Sequence, residues 1–358
     1  MPLRKNLPII GFALAVILVQ LATAVAGKPQ YLTQLTMSGY YTLVIVGLTM
    51  LMGYTGQISM GHAGFFAIGG YVSGLLTTYN LHPKSSSLGV AVLRTCGLLT
   101  ASQDLYGGDL LVVRPWVACM AAIVVTVGIA WLVGKPVLKL KGHYLAMATL
   151  GFGTIVYKIV LGSSLVGAAD GISDIPAFPL FAGLSVSGKS DLRLQNYYLA
   201  WGLVLLAVLF LTNLIHSRVG RALRAIHGAE DAADAMGVDT SRIKLQVFVL
   251  SAVLAALGGV FLTHYNGGIG PSEASIMKSV RYVAIVAIGG MANLWGALIM
   301  GVLLNFLSLR GSFGSYDDAV FGLILVAIML FAPNGILPLQ LARRVPGLRR
   351  MFRQEKAS

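Results

Sequence analysis

The chain has 358 residues, 56% of them hydrophobic and 11% charged, where a soluble domain carries about 25% charged residues. That excludes a water-soluble globular domain. A mean hydropathy of +0.80, with repeated apolar runs approaching the roughly 18 residues that a spanning helix needs, points to an all-α polytopic membrane protein. The net charge of +13 lies mostly beside the apolar runs, which fits the positive-inside bias of membrane proteins better than nucleic-acid binding.

Ten hydrophobic segments are expected, near 8–26, 36–53, 60–79, 115–134, 144–161, 197–215, 243–265, 279–292, 294–309 and 316–332. The first, inside "MPLRKNLPIIGFALAVILVQLATAVAGK", has a basic start and a small-residue Ala24-Val25-Ala26, as a secretory signal does. Its apolar core is longer than the usual roughly 7–15 residues of a signal, so a retained first helix is expected.

Between the second and third segments runs "LMGYTGQISMGHAGFFAIGGYVSGLL". Gly56 stands there among polar Gln57, Ser59 and His62, which suggests an interrupted helix beside a solute pathway, or else a simple turn. Unpaired backbone at membrane depth requires burial in protein or a wet cavity. Ala63, Ala67, Gly70 and Gly74 then fall on one helical face, suited to close helix contact. His62 has no second histidine or carboxylate at ligand spacing, so no metal site is expected. Cys96 and Cys119 likewise give no metal spacing, and Cys119 lies inside an apolar run, against a disulfide.

"GLSVSGKS" at 183–190 matches the phosphate-loop pattern through Gly183, Gly188, Lys189 and Ser190. It sits in a loop of roughly 35 residues between two apolar segments, without room for the parallel sheet that such a loop requires. It is read as a chance match, and no bound cofactor is expected.

The polar stretch "HSRVGRALRAIHGAEDAADAMGVDTSRIKLQ", 216–246, reads as two short helices. Arg218, Arg221 and Arg224 recur every three residues, and Val219, Leu223 and Ile226 form an apolar stripe. Glu230 and Asp231 complement the dipole of the second short helix, and Gly237 supplies its left-handed stop. Asp239 or Thr240 caps the long apolar helix after it. Segments "GGMANLWG" and its flanks suggest a broken pair of short helices near 279–309. With the N-terminus inside, sixteen of the 26 Lys and Arg residues lie on the inner side and nine on the outer. Both termini are then cytoplasmic, and loops 80–114 and 162–196 face outward. The basic stretch 341–358 follows residues 1–340 as a cytoplasmic tail suited to water or lipid headgroups. The acidic residues fall at helix ends or in loops, which disfavours an ion-coupled carrier. Catalytic constellations are lacking, and no enzyme activity is expected.

The stretch Asp231-Ala232-Ala233-x-x-x-Gly237 resembles the E-A-A-x-x-x-G core by which ABC importer permeases engage their ATPases, with Asp in place of Glu. Ile243-x-Leu245 comes sooner than the family's I-x-L-P and is followed by Gln246. Together with "GYTGQISMGHAGFFAIGGY", "KGHYLAMATLGFG", "ADGISDIP", "AIGGMANLWGALIMG" and "FGLILVAIMLFAPNGIL", it makes residues 36–340 resemble permease subunits of branched-chain amino acid ABC transporters. The resemblance implies a type II ABC-importer-like permease in a bacterial inner membrane. It implies a second permease, identical or related, two cytoplasmic ATPase subunits and an external solute-binding protein as partners. The loop 216–243 would then couple to ATP hydrolysis through Arg218, Arg221, Arg224, Glu230, Asp231, Ala232, Ala233 and Gly237, and Asp170 and Gly171 would lie near the binding-protein face. Urea, short amides or other amino acids are alternative solutes for the same architecture.

Overall fold

The computed structural model describes residues 3–82, 94–95, 97–103, 109–180, 183–311 and 314–331. The basic tail 341–358, Cys96 and much of the 80–114 segment lie outside them. Each of the ten apolar segments forms a helix. In chain order these are α1 (Leu3–Val25), α2 (Gln30–Thr55), α3 (His62–Thr78), α4 (Pro115–Val137), α5 (His143–Gly162) and α6 (Arg193–His216). The short α7 (Arg218–Gly228) and α8 (Glu230–Ala235) come next, then α9 (Thr240–Asn266), α10 (Ile276–Gly289), α11 (Leu294–Leu309) and α12 (Asp317–Phe331). Six helices are individually long and apolar enough to cross a membrane, and the chain is a polytopic helical membrane protein.

Helix α2 is the central post. It is apolar on all sides, as a fully enclosed helix must be, and nearly every residue of it is buried. Its threonine and serine hydroxyls bond chiefly along the helix itself. Thr36, Ser38, Thr42, Thr49 and Thr55 each donate to the carbonyl four residues back, which satisfies these short hydroxyls within the helix. Around the post, α1, α4, α5 and α6 expose Leu14, Leu18, Val124, Leu132, Met147, Ile155, Leu206 and Phe210, the faces that hydrocarbon covers.

Contact between the inner helices is set by glycine. A Cβ on Gly69 would enter the Ala256 backbone, and one on Gly259 would enter the Phe66 carbonyl, so α3 and α9 touch main chain to main chain. Gly70 and Gly74 of the expected small-residue face also meet this neighbourhood, at Thr263, Ile269 and Ile175. In lipid the hydrophobic effect does not drive helices together, and this closeness supplies van der Waals contact instead. Gly289 and Gly296 bring α10 and α11 together as a hairpin. Gly290 at φ 97° makes the reversal, and Asn293 caps α11 by accepting from the Gly296 N–H at 3.1 Å.

Two features differ from the sequence expectation. The 80–114 segment contains an antiparallel hairpin, β1 (Leu99–Gln103) with β2 (Asp109–Val113), Leu99 opposite Val113. Its apolar residues Leu99, Leu111 and Val113 pack with Ala118 of α4, giving edge-capable backbone a partner that helix periodicity could not reveal. A second hairpin joins β3 (Phe178–Pro179) to β4 (Ser185–Val186). Cys119 is a free, buried thiol.

Gly259→Val is expected to force α3 from α9 and cost about 1–3 kcal/mol, read as a lowered melting temperature in detergent. Gly151→Ala, at a position with nothing near its added carbon, serves as the control. Equal melting of the two variants would contradict main-chain contact as the determinant of this packing.

Candidate functional site: a broken helix beside the polar segment

The chain leaves α2 through Gly56, left-handed at φ 70°, and re-enters helix at His62. Residues 56–61 between them are non-helical, yet Gln57, Ser59 and His62 are almost fully buried. Gly56 is exposed and Ile58 and Met60 are half-buried, so the interruption is enclosed by protein on the side of Gln57, Ser59 and His62.

Hydroxyl groups from three other helices satisfy it. The Met60 N–H donates to Thr149 Oγ1 of α5 at 3.0 Å, and the Ala63 N–H donates to Ser279 Oγ of α10 at 3.2 Å. His62 Nε2 lies 2.9 Å from Ser251 Oγ of α9, and Nδ1 lies 3.1 Å from Ser59 Oγ. Ser251 donates its single proton to the Phe248 carbonyl at 2.8 Å, so its oxygen can only accept from His62. That assigns the proton to Nε2 and leaves Nδ1 to accept from Ser59. In this arrangement the imidazole is held between hydroxyls on both sides. Gln57 Oε1 lies 3.4 Å from Thr55 Oγ1, while its buried Nε2 has no protein partner.

Helices α3 and α10 begin beside each other, since Ala63 and Ser279 occupy their first turns. From there they diverge. α3 runs toward the β1–β2 hairpin, where Leu81 N–H meets the Leu111 carbonyl, and α10 runs toward Gly53, whose surface abuts Met291. Two discontinuous helices thus bring their N-terminal ends together inside the bundle, the arrangement that places positive dipole ends near an enclosed solute.

At one end of the bundle stands the polar segment. Ser217 caps α7 through the Val219 N–H at 3.1 Å, and Asp239 caps α9 through the Arg242 N–H at 2.9 Å. Gly237 is left-handed at φ 84°. Arg218, Arg221 and Arg224 are exposed, as are Asp231 and Ala232, while Ala233 is buried. The inward stripe is Gly220, Leu223 and Ile226. Val219 is exposed, because the buried face is centred one position further along than the apolar pattern suggested. Glu230 is not free: it pairs at 2.5 Å with Lys244, whose side chain is only 7% exposed. Asp231 pairs with exposed Lys141 at 3.1 Å, and this hydrogen bond, with the nearby Glu230 charge, holds the Lys141 ammonium above the ordinary lysine pKa. Met236 is 85% exposed, an apolar side chain at the outermost turn. The His227 imidazole sits directly over Gly56, so α7 touches the helix break itself.

At the opposite end, the loop with Asp170 and Gly171 lies against 267–270 through reciprocal bonds of Ile172 and Ile269, at 3.0 and 2.9 Å. Gly171 is left-handed at φ 73°, and a side chain there would strike the Ile269 carbonyl. Asp170 is exposed. The 183–190 stretch runs through β4, extended and hydrogen-bonded to β3 in an antiparallel hairpin. Gly188 is pressed on the Tyr265 carbonyl. Gly183 before the strand is left-handed at φ 77°, and Ser190 opens a 3-10 turn.

Sequence reasoning found the interruption but missed Thr149, Ser251 and Ser279. The available signal was a serine or threonine within each of three apolar runs, but Thr154 and Thr263 share two of those runs, so the pattern did not single out the bridging residues. It also left Glu273 and Lys278 among the loop charges, whereas they lie inside the bundle. Lys278 Nζ donates to both Glu273 oxygens at 2.9 and 3.0 Å and to the Tyr41 hydroxyl at 2.9 Å. Tyr41 stands midway along α2. Among the described residues no cluster of His, Cys, Asp or Glu could hold a metal.

The family described as branched-chain amino acid transport system, permease component, matches residues 30–332. The high-affinity branched-chain amino acid transport system permease protein LivM of Salmonella typhimurium is 30% identical over 325 residues, covering 85% of this chain and 69% of LivM. LivH of Escherichia coli K12 is 28% identical over 320 residues, with 86% and 94% coverage. BraD of Pseudomonas aeruginosa is 26% identical over 318 residues, again with 86% and 94%. No solved structure matches.

Ser251→Ala would leave the His62 Nε2–H buried without an acceptor, at an expected cost of about 1–3 kcal/mol. Thr49→Ala, which removes a bond to its own helix's carbonyl, should lower the detergent melting temperature less. The reverse order would remove the hydroxyl network as the support of the break.

Proposed function

The chain belongs to the branched-chain amino acid transport permease family, and we propose that it is the membrane-spanning subunit of an ABC importer that moves branched-chain amino acids inward. ATP hydrolysis takes place in two cytoplasmic partner subunits, and a second permease completes the pathway. An external binding protein delivers the solute. The membrane is the bacterial inner membrane, with both termini on the cytoplasmic side by the distribution of Lys and Arg.

The observation that carries this reading is the direct contact of α7 with the helix break, His227 over Gly56. Short capped helices with an exposed arginine face make a surface that a soluble partner can grip. Movement of that surface reaches residues 56–62 without an intermediary. Arg218, Arg221, Arg224, Asp231, Ala232 and Gly237 belong to the gripping surface, joined by Met236. Ala233 anchors it, and Glu230 fixes α8 to α9 through Lys244, thereby holding the lever's shape. Gly56, Gln57, Ser59 and His62 form the moving part of the solute pathway. Asp170 and Gly171 stand on the face toward the binding protein.

Alternating access needs an element with two arrangements of similar energy. A non-helical link held by single hydroxyl bonds supplies one, because each bond can be exchanged for another hydroxyl or for solute.

Met236→Asp combined with Arg224→Glu changes only exposed side chains. The variant should keep its melting temperature, yet lose ATPase association and lower ATP-driven leucine uptake by about tenfold or more, as removal of docking anchors does. Gly237→Leu, strained at its positive φ, should act in the same direction. Unchanged association and uptake in both variants would refute the assignment of this segment to coupling.

A further inference from the structure

We infer that Glu273, Lys278 and Tyr41 form the site that receives the charged backbone of a zwitterionic amino acid within the bundle, an assignment that rests on the transport reading above. The two charges close on each other at 2.9 Å, with the Tyr41 hydroxyl 3.0 Å from Glu273 and its ring 4.4 Å from Lys278 Nζ. Both side chains are mostly buried. A cavity of about 60 Å³ adjoins them, lined by Phe66, Thr263, Asn266 and Glu273, and it reaches the loop 268–270 that carries the Asp170 face.

Three features set this pair apart from an ordinary structural salt bridge. First, its place: it sits where α10 starts, one turn from Ser279 and hence beside the N-terminal end of α3. Second, its surroundings: the hydroxyls of Tyr71 and Tyr282 are buried without protein partners, both within electrostatic reach of Glu273. Buried phenols normally find partners, and two unpaired ones around one carboxylate mark a polar site whose bonding is incomplete in this arrangement. Third, its charge: a zwitterion inserted between the two groups puts its ammonium on Glu273 and its carboxylate on Lys278. One internal ion pair becomes two mixed pairs, every charge stays partnered, and the net charge in the low-dielectric interior is unchanged. A neutral amide gains no such exchange. The cavity is too small for an amino acid as it stands, so the pair must part to admit one, which ties occupancy to the alternating motion.

The test uses the complete transporter in proteoliposomes with saturating binding protein and radiolabelled leucine. Wild-type uptake checks the transport reading independently: no uptake of any branched-chain amino acid by the wild type would sink that reading before the site is tested. Glu273→Gln and Lys278→Met should each cut uptake to about a tenth or less. The double variant Glu273→Gln/Lys278→Met decides the matter. A merely structural pair is rescued by removing both charges, so wild-type uptake in the double variant overturns the proposal. Retained subunit assembly and basal ATP hydrolysis with uptake still lost supports it. Tyr41→Phe keeps the ring and the fold and provides a second measure should the double variant fail to assemble. It should lower the saturating uptake rate several-fold with assembly intact, and unaltered uptake by this variant overturns the proposal.

Discussion

A backbone polar group inside an apolar medium must find a partner within the protein, because no water is present to substitute. The rest of this molecule depends on how that constraint is met at residues 56–63. A continuous helix would meet it automatically. Here the helix stops at Thr55, and the Met60 and Ala63 amides and the His62 ring are met by single hydroxyls from α5, α10 and α9. Each of those helices is thereby fixed in rotation and height relative to the break. Ser251 makes the constraint tighter, since donating to the Phe248 carbonyl leaves its oxygen only the acceptor role toward His62.

Glycine makes the hydroxyl bridges geometrically available. A serine side chain is short, so it reaches a neighbouring backbone only if the helices nearly touch. Gly69 against Ala256 and Gly259 against Phe66 bring α3 and α9 to that distance. The same closeness seats Met291 on Gly53 and His227 on Gly56, so the α10–α11 turn and the lever α7 meet α2 within one turn of its end. Packing and polar satisfaction thus converge on one short piece of chain, which α7 also touches.

The ten helices were legible because apolar runs in a membrane protein have few alternatives to helix. The caps at Asp239 and Gly237 were legible for a local reason: each acts on amides or dihedral angles within a few residues. The hairpin 99–113 was not, since its strands are held by each other and by Ala118 of α4 and carry no helix-like period. Val219 was placed on the inner face of α7 by pattern alone, and the packing of Gly220 beneath the Ile215 carbonyl turned the helix away from it. The sequence placed Glu230 at the start of α8, where it complements the helix dipole, but its partner Lys244 stands on another helix and could not be read from it.

By itself the sequence determined that this chain lives in a membrane, where its helices lie, that the polar segment near 216–246 is built as short capped helices, and that glycine and polar residues gather near Gly56. These features arise from composition, period and local backbone preference, which a linear chain carries within a few residues. Only the tertiary structure decided that the interruption is buried, that Thr149, Ser251 and Ser279 hold it, that α7 rests upon it, and that Glu273 and Lys278 face Tyr41 inside the bundle. Those facts join residues as much as 237 positions apart, and a hydrogen bond or ion pair between such groups depends on ångström-scale helix separations that no local pattern encodes.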